Sequence, residues 1–285
     1  MKASIIVITY NEEKNIKDCL ESLTKQDHPD YEILVVDASE DKTAEIASTF
    51  KTVKVIKAKR KGFGIQRNIG IKLSQGDSIA FTDADCTAPK NWLATAITSL
   101  EKHGAAGIGG NAYPPPNSLK IGVLIACLGY PAGGATGLDP DKDPLSTCNA
   151  IFLKTALQDV NGFNEQLTHG GEDTDLCQRL NTHGHKTIID PNLFVYHKTR
   201  DFKEFLNWSE RRGRAKYHLT KSPTQLLMPL TLFAYPFTSK YRKAFTSRKE
   251  LGLNLKDITL TVPALFFLRQ LYMTKGWLQE ASQSR

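Results

Sequence analysis

Along its first two hundred residues the chain alternates short apolar runs with segments whose apolar residues recur at helical spacing. Ala3–Thr9 predicts a buried strand, and Ile16, Cys19, Leu20 and Leu23 predict an amphipathic helix behind it. Tyr31–Asp37 repeats the design and leads into a helix through Ala44, Ile46 and Ala47. A short strand over residues 53–56 and a helix over 65–73 follow, then the run Ser78-Ile79-Ala80-Phe81-Thr82. Behind Pro89, which suits a first helical position, Trp92, Leu93, Ile97 and Leu100 give a helix. Strand and helix in alternation imply a parallel sheet with helices on both faces. Residues 105–147, rich in Gly and Pro, break the pattern and predict a long, mobile, functional loop. Strands at residues 148–153, 186–190 and up to His197 flank a helix that opens at Glu172.

Chemistry gathers at the carboxyl ends of these strands, where open α/β sheets bind ligands. Asp83-Ala84-Asp85 ends the fourth strand. Residues two apart in extended backbone face one side, so both carboxylates can converge on a divalent cation, although such a pair also caps strands. After the first strand, Tyr10 offers a face for a base, and Thr9 and Glu12 offer hydrogen bonds to base or ribose. Asp37, at the end of the second, can accept from a pyrimidine or guanine N–H. The loop Tyr10-Asn11-Glu12-Glu13 has no glycine, which argues against a dinucleotide-binding dehydrogenase. The basic stretch Lys57-Ala58-Lys59-Arg60-Lys61-Gly62, with Arg67 and Asn68 in the next helix, suits a diphosphate; a plain basic turn is the alternative.

Gly170-Gly171-Glu172-Asp173-Thr174-Asp175 puts three acids in a helix's first turns. The helix dipole accounts for one or two of them. Three beside a Gly-Gly pair point to a general base for an incoming hydroxyl. His197 stands at a strand end where it can add a third metal ligand. Asp139, Asp141 and Asp143 alternate as in a calcium loop but lack its glycine and terminal glutamate, so they read as solvated.

Composition narrows the class. With 40% hydrophobic and 24% charged residues among 285, the chain can hold one large α/β domain with an appendage. Its five scattered cysteines form no Cys-x-x-Cys pair, which argues against a disulfide framework or zinc site and fits a reducing compartment. No apolar signal segment precedes the first strand, so the expected address is the cytoplasm. The net charge of +7 is uneven: residues 200–285 carry 16 Lys or Arg against 6 Asp or Glu, leaving 21 against 24 elsewhere. That bias points to an anionic partner for the tail, with a solvated basic face as the alternative.

Taken together, Val7-Ile8-Thr9-Tyr10-Asn11-Glu12-Glu13, Val35-Val36-Asp37-Ala38-Ser39, Gln66-Arg67-Asn68-Ile69-Gly70, Phe81-Thr82-Asp83-Ala84-Asp85, Gly171-Glu172-Asp173-Thr174-Asp175-Leu176 and Val195-Tyr196-His197 resemble the family 2 glycosyltransferases. The resemblance covers about residues 1–200. It implies the GT-A fold, a Rossmann-like mixed sheet flanked by helices, and an inverting transferase that uses a nucleotide-diphosphate sugar, UDP-linked by preference, with Mg²⁺ or Mn²⁺. Matched by position, Thr9, Tyr10, Glu12 and Asp37 hold the nucleoside, Arg67 lies beside the donor, and Asp83 lies near ribose and metal. Asp85 binds the metal, His197 assists it, and Asp173 is the base with Glu172 as neighbour or substitute. Lys42 stands where glycine is usual, and the Gln-x-x-Arg-Trp pattern of processive synthases is absent, which favours transfer of a single sugar.

The expected organisation is a catalytic domain over residues 1–200, divided into a nucleotide-binding half (1–111) and an acceptor half (112–200), with a helical C-terminal extension over 201–285. In the extension, residues 226–236 and 258–268 are apolar but only 11 long and broken by Pro229 and Pro263. A spanning helix needs roughly 20. Interfacial or re-entrant helices are expected instead, with Trp208, Tyr235, Phe266, Phe267, Tyr272 and Trp277 as anchors on the inner face of a cell membrane and a lipid-linked or membrane-borne acceptor. Packing against the catalytic domain is the alternative, and nucleic acid is not an expected partner. A nucleotidyltransferase would want a glycine-rich basic first loop. A silent sugar-nucleotide scaffold would have no use for carboxylates at all three acidic sites.

Overall fold

A computed structural model describes residues 1–59, 62–129, 133–139, 143–168, 170–220 and 223–283. Arg60 and Lys61 of the basic stretch and Asp141 of the acidic alternation lie outside them. The residues form two units. The first comprises Met1–Ala112, Leu138–Thr168 and Glu172–His197, and the second Tyr113–Gly137, His169–Gly171 and Lys198–Arg285.

In chain order the elements are β1 (Ala3–Thr9), α1 (Ile16–Leu23), β2 (Tyr31–Asp37), α2 (Thr43–Ser48), β3 (Val53–Lys57), α3 (Phe63–Leu73), β4 (Ser78–Asp83), β5 (Cys86–Thr87), α4 (Trp92–His103), β6 (Gly107–Tyr113), α5 (Lys120–Ala126), β7 (Asn149–Leu153), α6 (Lys154–Asp159), α7 (Glu172–Thr182), β8 (Thr187–His197), α8 (Phe202–Thr220), α9 (Ser239–Thr246) and α10 (Val262–Gln283). The eight strands make one sheet in the order β3-β2-β1-β4-β7-β6-β8-β5. Strands β1 to β4 pair in parallel, as the alternation predicts, whereas β4–β7, β6–β7 and β5–β8 are antiparallel. The sheet is therefore mixed.

The apolar runs form the core, with Ile5, Ile6, Val7, Leu34, Val35, Val36, Ile79, Ala80 and Phe81 all buried. Helix α3 crosses β1 closely because residue 70 has no side chain: a Cβ there would stand 2.6 Å from Ile6. The stretch 105–147 departs from expectation. Residues 107–113 within it are the buried strand β6, whose glycines are spacers between bulky neighbours. A Cβ on Gly107 would meet Phe152 at 2.6 Å, and one on Gly110 would meet the Leu193 carbonyl at 1.9 Å. Glycine in β6 serves close approach rather than looseness. The two short strands expected between residues 186 and 197 are the single strand β8.

The second unit is helical. Reciprocal bonds between Asp201 and Glu204 close the start of α8. A similar exchange between Asn254 and Asp257 starts the π-helical turn Asp257–Thr261 that runs into α10. Helices α8 and α10 pack at glycines, since a Cβ on Gly213 would lie 1.9 Å from the Met273 carbonyl and one on Gly276 1.9 Å from that of Glu210. Around this crossing Lys275 pairs with Glu210 at 2.7 Å, Arg214 donates to Gln279 at 2.9 Å, and His218 meets Glu280 at 2.8 Å. A 3-10 segment, Pro223–Phe237, joins the core through Tyr235, stacked on Phe266 at 4.1 Å. Among the described residues no helix is long and apolar enough to cross a membrane. Trp208, Tyr235 and Trp277, expected as interfacial anchors, are buried in this unit. Aromatic composition shows how much apolar area a segment owns, not which way it faces.

Candidate active site

The site lies at the carboxyl ends of β1, β2 and β4 in the first unit. Thr9 and Asp37 face each other in register across β1 and β2, while Asp83 pairs one residue earlier, with Ile8. Thr9 Oγ1 donates to Asp37 Oδ1 at 2.8 Å, Lys57 Nζ donates to Oδ2 at 2.7 Å, and the Ser39 amide adds a bond of 3.3 Å. Burial pushes the Asp37 carboxyl up, but the donors Lys57, Ser39 and Thr9 together outweigh it and hold the group below its ordinary range. Gln66 on α3, buried, ties the two strand ends together by donating to the carbonyls of Thr9 (2.9 Å) and Val36 (2.8 Å).

The loop after β1 is held by the loop after β2. Asn11 takes a left-handed conformation (φ 58°), its amide donates to Ser39 Oγ at 2.8 Å, and the Glu12 amide donates to Thr43 Oγ1 at 2.8 Å. Tyr10 stands exposed beyond them. This arrangement leaves an aromatic face beside a polar, pre-formed strand end.

Arg67 is the hub of the charged groups. It is only 4% exposed, and its guanidinium lies 2.6 Å from Glu172 Oε1 and 3.6 Å from Asp83 Oδ1, over the rings of Phe63 and Phe163. So α3 connects the end of β4 to the start of α7. Asn68, a candidate ligand by sequence, instead exchanges bonds of 2.9 and 2.8 Å with the Phe163 backbone and fixes the neighbouring loop. Glu172 is buried, and its second carboxylate oxygen has no hydrogen-bond partner among the described residues. Burial raises its pKa, the Arg67 charge works against that rise, and the adjacent Asp173 charge adds to it. Asp173 is half-buried and accepts from the Thr174 amide at 2.8 Å in the first turn of α7.

Cys86, next after Asp85, pairs with His197 across β5 and β8 and brings that histidine to the acidic pair. His197 Nε2 lies 3.4 Å from Asp85 Oδ1 and 3.7 Å from Asp83 Oδ2. Donor atoms of Asp85, Cys86 and His197 all fall within 4.8 Å of one another. Carboxylate and imidazole donors so gathered fit a divalent ion such as Mg²⁺ or Mn²⁺. Burial first and then the Asp85 charge push the Cys86 thiol far up, and a soft sulfur matches such a hard ion less well than oxygen does. Cys148 is pushed up by burial and by the charges of Asp83, Asp85 and Asp173, so those three acids act within one field. All five cysteines are free and buried.

Sequence reasoning named Thr9, Tyr10, Glu12, Asp37, Arg67, Asp83, Asp85, Glu172, Asp173 and His197. The geometry links Thr9 to Asp37, and Arg67 to Asp83 and Glu172, and brings His197 to Asp83 and Asp85. It adds Gln66 as the clasp of two strand ends and Lys57 as the partner of Asp37. The sequence signal for Lys57 is a lone cation ending a strand beside one that ends in Asp, masked by the basic loop that follows it.

Comparison with known proteins adds the family. The sequence matches Glycosyl transferase family 2 over residues 4–160 and the N-terminal domain of galactosyltransferase over residues 139–205. It is 30% identical to glycosyltransferase AglE of Haloferax volcanii over 234 residues, 75% of this chain and 72% of that one. It is 25% identical over 232 residues, 75% of this chain and 72% of that one, to a dolichyl N-acetyl-alpha-D-glucosaminyl phosphate 3-beta-D-2,3-diacetamido-2,3-dideoxy-beta-D-glucuronosyltransferase of Methanococcus voltae. In structure it resembles the mannosyltransferase PcManGT from Pyrobaculum calidifontis, solved with GDP-Man and Mn²⁺, with a TM-score of 0.66 at 19% identity, covering 100% of this chain and 88% of that one. The fold is GT-A.

Proposed function

The chain belongs to glycosyl transferase family 2 and is a glycosyltransferase, and from that premise we propose that it moves one sugar, with inversion, from a nucleoside-diphosphate sugar to a hydroxyl or phosphate of a lipid-linked acceptor. The observation that carries the reading is the convergence of Asp83, Asp85 and His197 beside an Arg67 that also holds Glu172. Thr9, Tyr10, Glu12 and Asp37 take the nucleoside, with Tyr10 stacking on the base.

Breaking a glycosyl–phosphate bond leaves negative charge on the departing diphosphate. A divalent ion held by Asp85, Asp83 and His197 would neutralise that charge. Arg67 keeps Asp83 oriented and adds positive charge nearby. On the opposite side of the anomeric carbon the acceptor oxygen attacks, its proton passes to the Asp173 carboxylate, and the nucleoside diphosphate leaves with the bonding electrons. Attack from one face and departure from the other invert the configuration. Glu172 is committed to Arg67, so Asp173, in the half-buried first turn, is the better-placed base.

The lipid-linked acceptor is supported by the dolichyl phosphate compound in the name of the Methanococcus relative, and by the apolar, basic second unit. We place the enzyme on the inner face of the cell membrane for the same reasons. The test is a screen of UDP- and GDP-sugars for Mn²⁺-dependent nucleotide release, then for transfer to polyprenyl phosphates and their glycosylated forms. UDP-sugars are expected to lead the screen. Failure of every donor to give nucleotide release would sink the transferase reading, and transfer confined to water-soluble glycans would sink the lipid acceptor.

A further inference from the structure

The second unit carries an apolar surface that its own packing does not use. Helix α10 already has a buried side, formed by Val262, Leu265, Met273, Gly276 and Trp277 against its neighbours. The far side of a surface helix is ordinarily polar. Here Ala264, Phe267, Leu271 and Leu278 follow one another at spacings of three, four and seven along the exposed side, and Leu260 stands out from the preceding turn. Leu260 is 61% exposed, Phe267 36%, Leu271 40% and Leu278 48%. The charged residue on that stripe is Lys275, turned to Glu210. The 3-10 segment is fastened alongside by Gln270 donating to Thr231 at 2.8 Å and by the Tyr235–Phe266 stack, and it exposes Leu227 and Leu230 as well.

We propose that this stripe is a membrane-docking surface, with α10 lying in the plane of an anionic leaflet and Leu260, Phe267, Leu271 and Leu278 sunk into the headgroup–acyl boundary. The proposal rests on the membrane-borne acceptor for its purpose, but its test does not. Two features select the occupant. The excess of Lys and Arg over residues 200–285 is complementary to anionic lipid and would repel a second copy brought stripe to stripe. A long helix with an apolar outer face, in a chain whose described residues include no helix long and apolar enough to cross, suits an interfacial position. Of the expected aromatic anchors Phe267 stands on this stripe, whereas Trp208, Tyr235 and Trp277 lie in the core.

The experiment is co-sedimentation of the full chain with vesicles of phosphatidylcholine alone and of phosphatidylcholine and phosphatidylglycerol in equal parts, at low and high salt. Four proteins are compared: the natural chain, Phe267→Glu/Leu271→Glu, Phe267→Gln/Leu271→Gln, and a control, Leu73→Glu, at an exposed leucine of the first unit. Circular dichroism and donor-dependent nucleotide release in solution check that each is folded. The natural chain and the control should bind the anionic vesicles in a salt-sensitive way, and the double variant should bind about tenfold or more weakly. Phe267→Gln/Leu271→Gln, which adds no charge, should fall in between. Equal binding by all variants overturns the proposal, as does a natural chain that ignores anionic vesicles. A dimer that the double variant dissolves assigns the stripe to a second copy and overturns it too. Loss of vesicle binding with nucleotide release intact leaves the transferase standing, and the reverse leaves the docking surface standing.

Discussion

The two units spend their residues in opposite ways. The first buries charge: Asp37, Arg67, Glu172 and His197 are all withdrawn from water, Arg67 and Glu172 paired with each other, Asp37 held by Thr9 and Lys57, and His197 set beside Asp83 and Asp85. The second displays apolar surface. Of fourteen exposed large hydrophobic residues among those described, eleven belong to it. Each choice costs stability, since buried charges must be paired and exposed leucines forgo burial. A fold keeps such costs where a function returns them. The first unit's cost makes sense if a diphosphate and a metal complete its charge balance, and the second's if a surface completes its apolar face.

The sharpest break of this comparison is at the chemistry. Asp85→Asn and Asp173→Asn should each lower transfer by about a hundredfold or more while leaving the circular dichroism unchanged. They should differ in binding: Asp173→Asn keeps donor affinity, and Asp85→Asn loses its metal dependence. Normal turnover with Mn²⁺ in Asp85→Asn would remove that residue from the site.

Next in size is the hub. Arg67→Met removes the cation from two acids and leaves Glu172 buried and unpaired, a loss of about 3–5 kcal/mol. Pairing it with Glu172→Gln should recover part of the stability but no activity. Urea denaturation of the four proteins of the cycle measures this. Additive single effects would show that Arg67 and Glu172 do not act as a pair.

Gly110→Ala should come third, at about 1–3 kcal/mol, because the Leu193 carbonyl occupies the space a Cβ needs and β6 must shift away from β8. It also marks the limit of what the chain reveals on its face. Strands β1, β2 and β4 were legible because their apolar runs are long, and β2 and β4 end in the acids Asp37 and Asp83. Strand β6, Gly-Ile-Gly-Gly-Asn-Ala-Tyr, was not, since its apolar neighbours are supplied by Leu145, Phe152 and the β8 backbone, tens of residues away. The same holds at the site. Asp83 and His197 were legible as strand ends and Asp85 by its spacing from Asp83, although it lies in the turn between β4 and β5; the pairing of Arg67 with Glu172 spans 105 positions and follows only from the packed fold.

The smallest effect tests whether the buried charge of the first unit is held by many weak bonds or by one. Lys57 is mostly exposed, yet it meets an Asp37 carboxylate withheld from solvent. Replacing it, Lys57→Met, leaves the Thr9 and Ser39 donors in place and should cost about 1 kcal/mol or less at neutral pH. Its signature is in acid. The Asp37 pKa is lowered in the folded chain, so its stabilisation is present above the ordinary carboxyl pKa and is lost as pH falls through the folded value. Burial alone would raise that value, so without the Lys57 bond the folded pKa climbs and the protection fails sooner. The acid-unfolding midpoint of Lys57→Met, followed by circular dichroism, should therefore lie at a higher pH than that of the natural chain. Coincident midpoints would mean that Thr9 and Ser39 hold the carboxylate unaided, and Lys57 would then be free to swing toward a diphosphate.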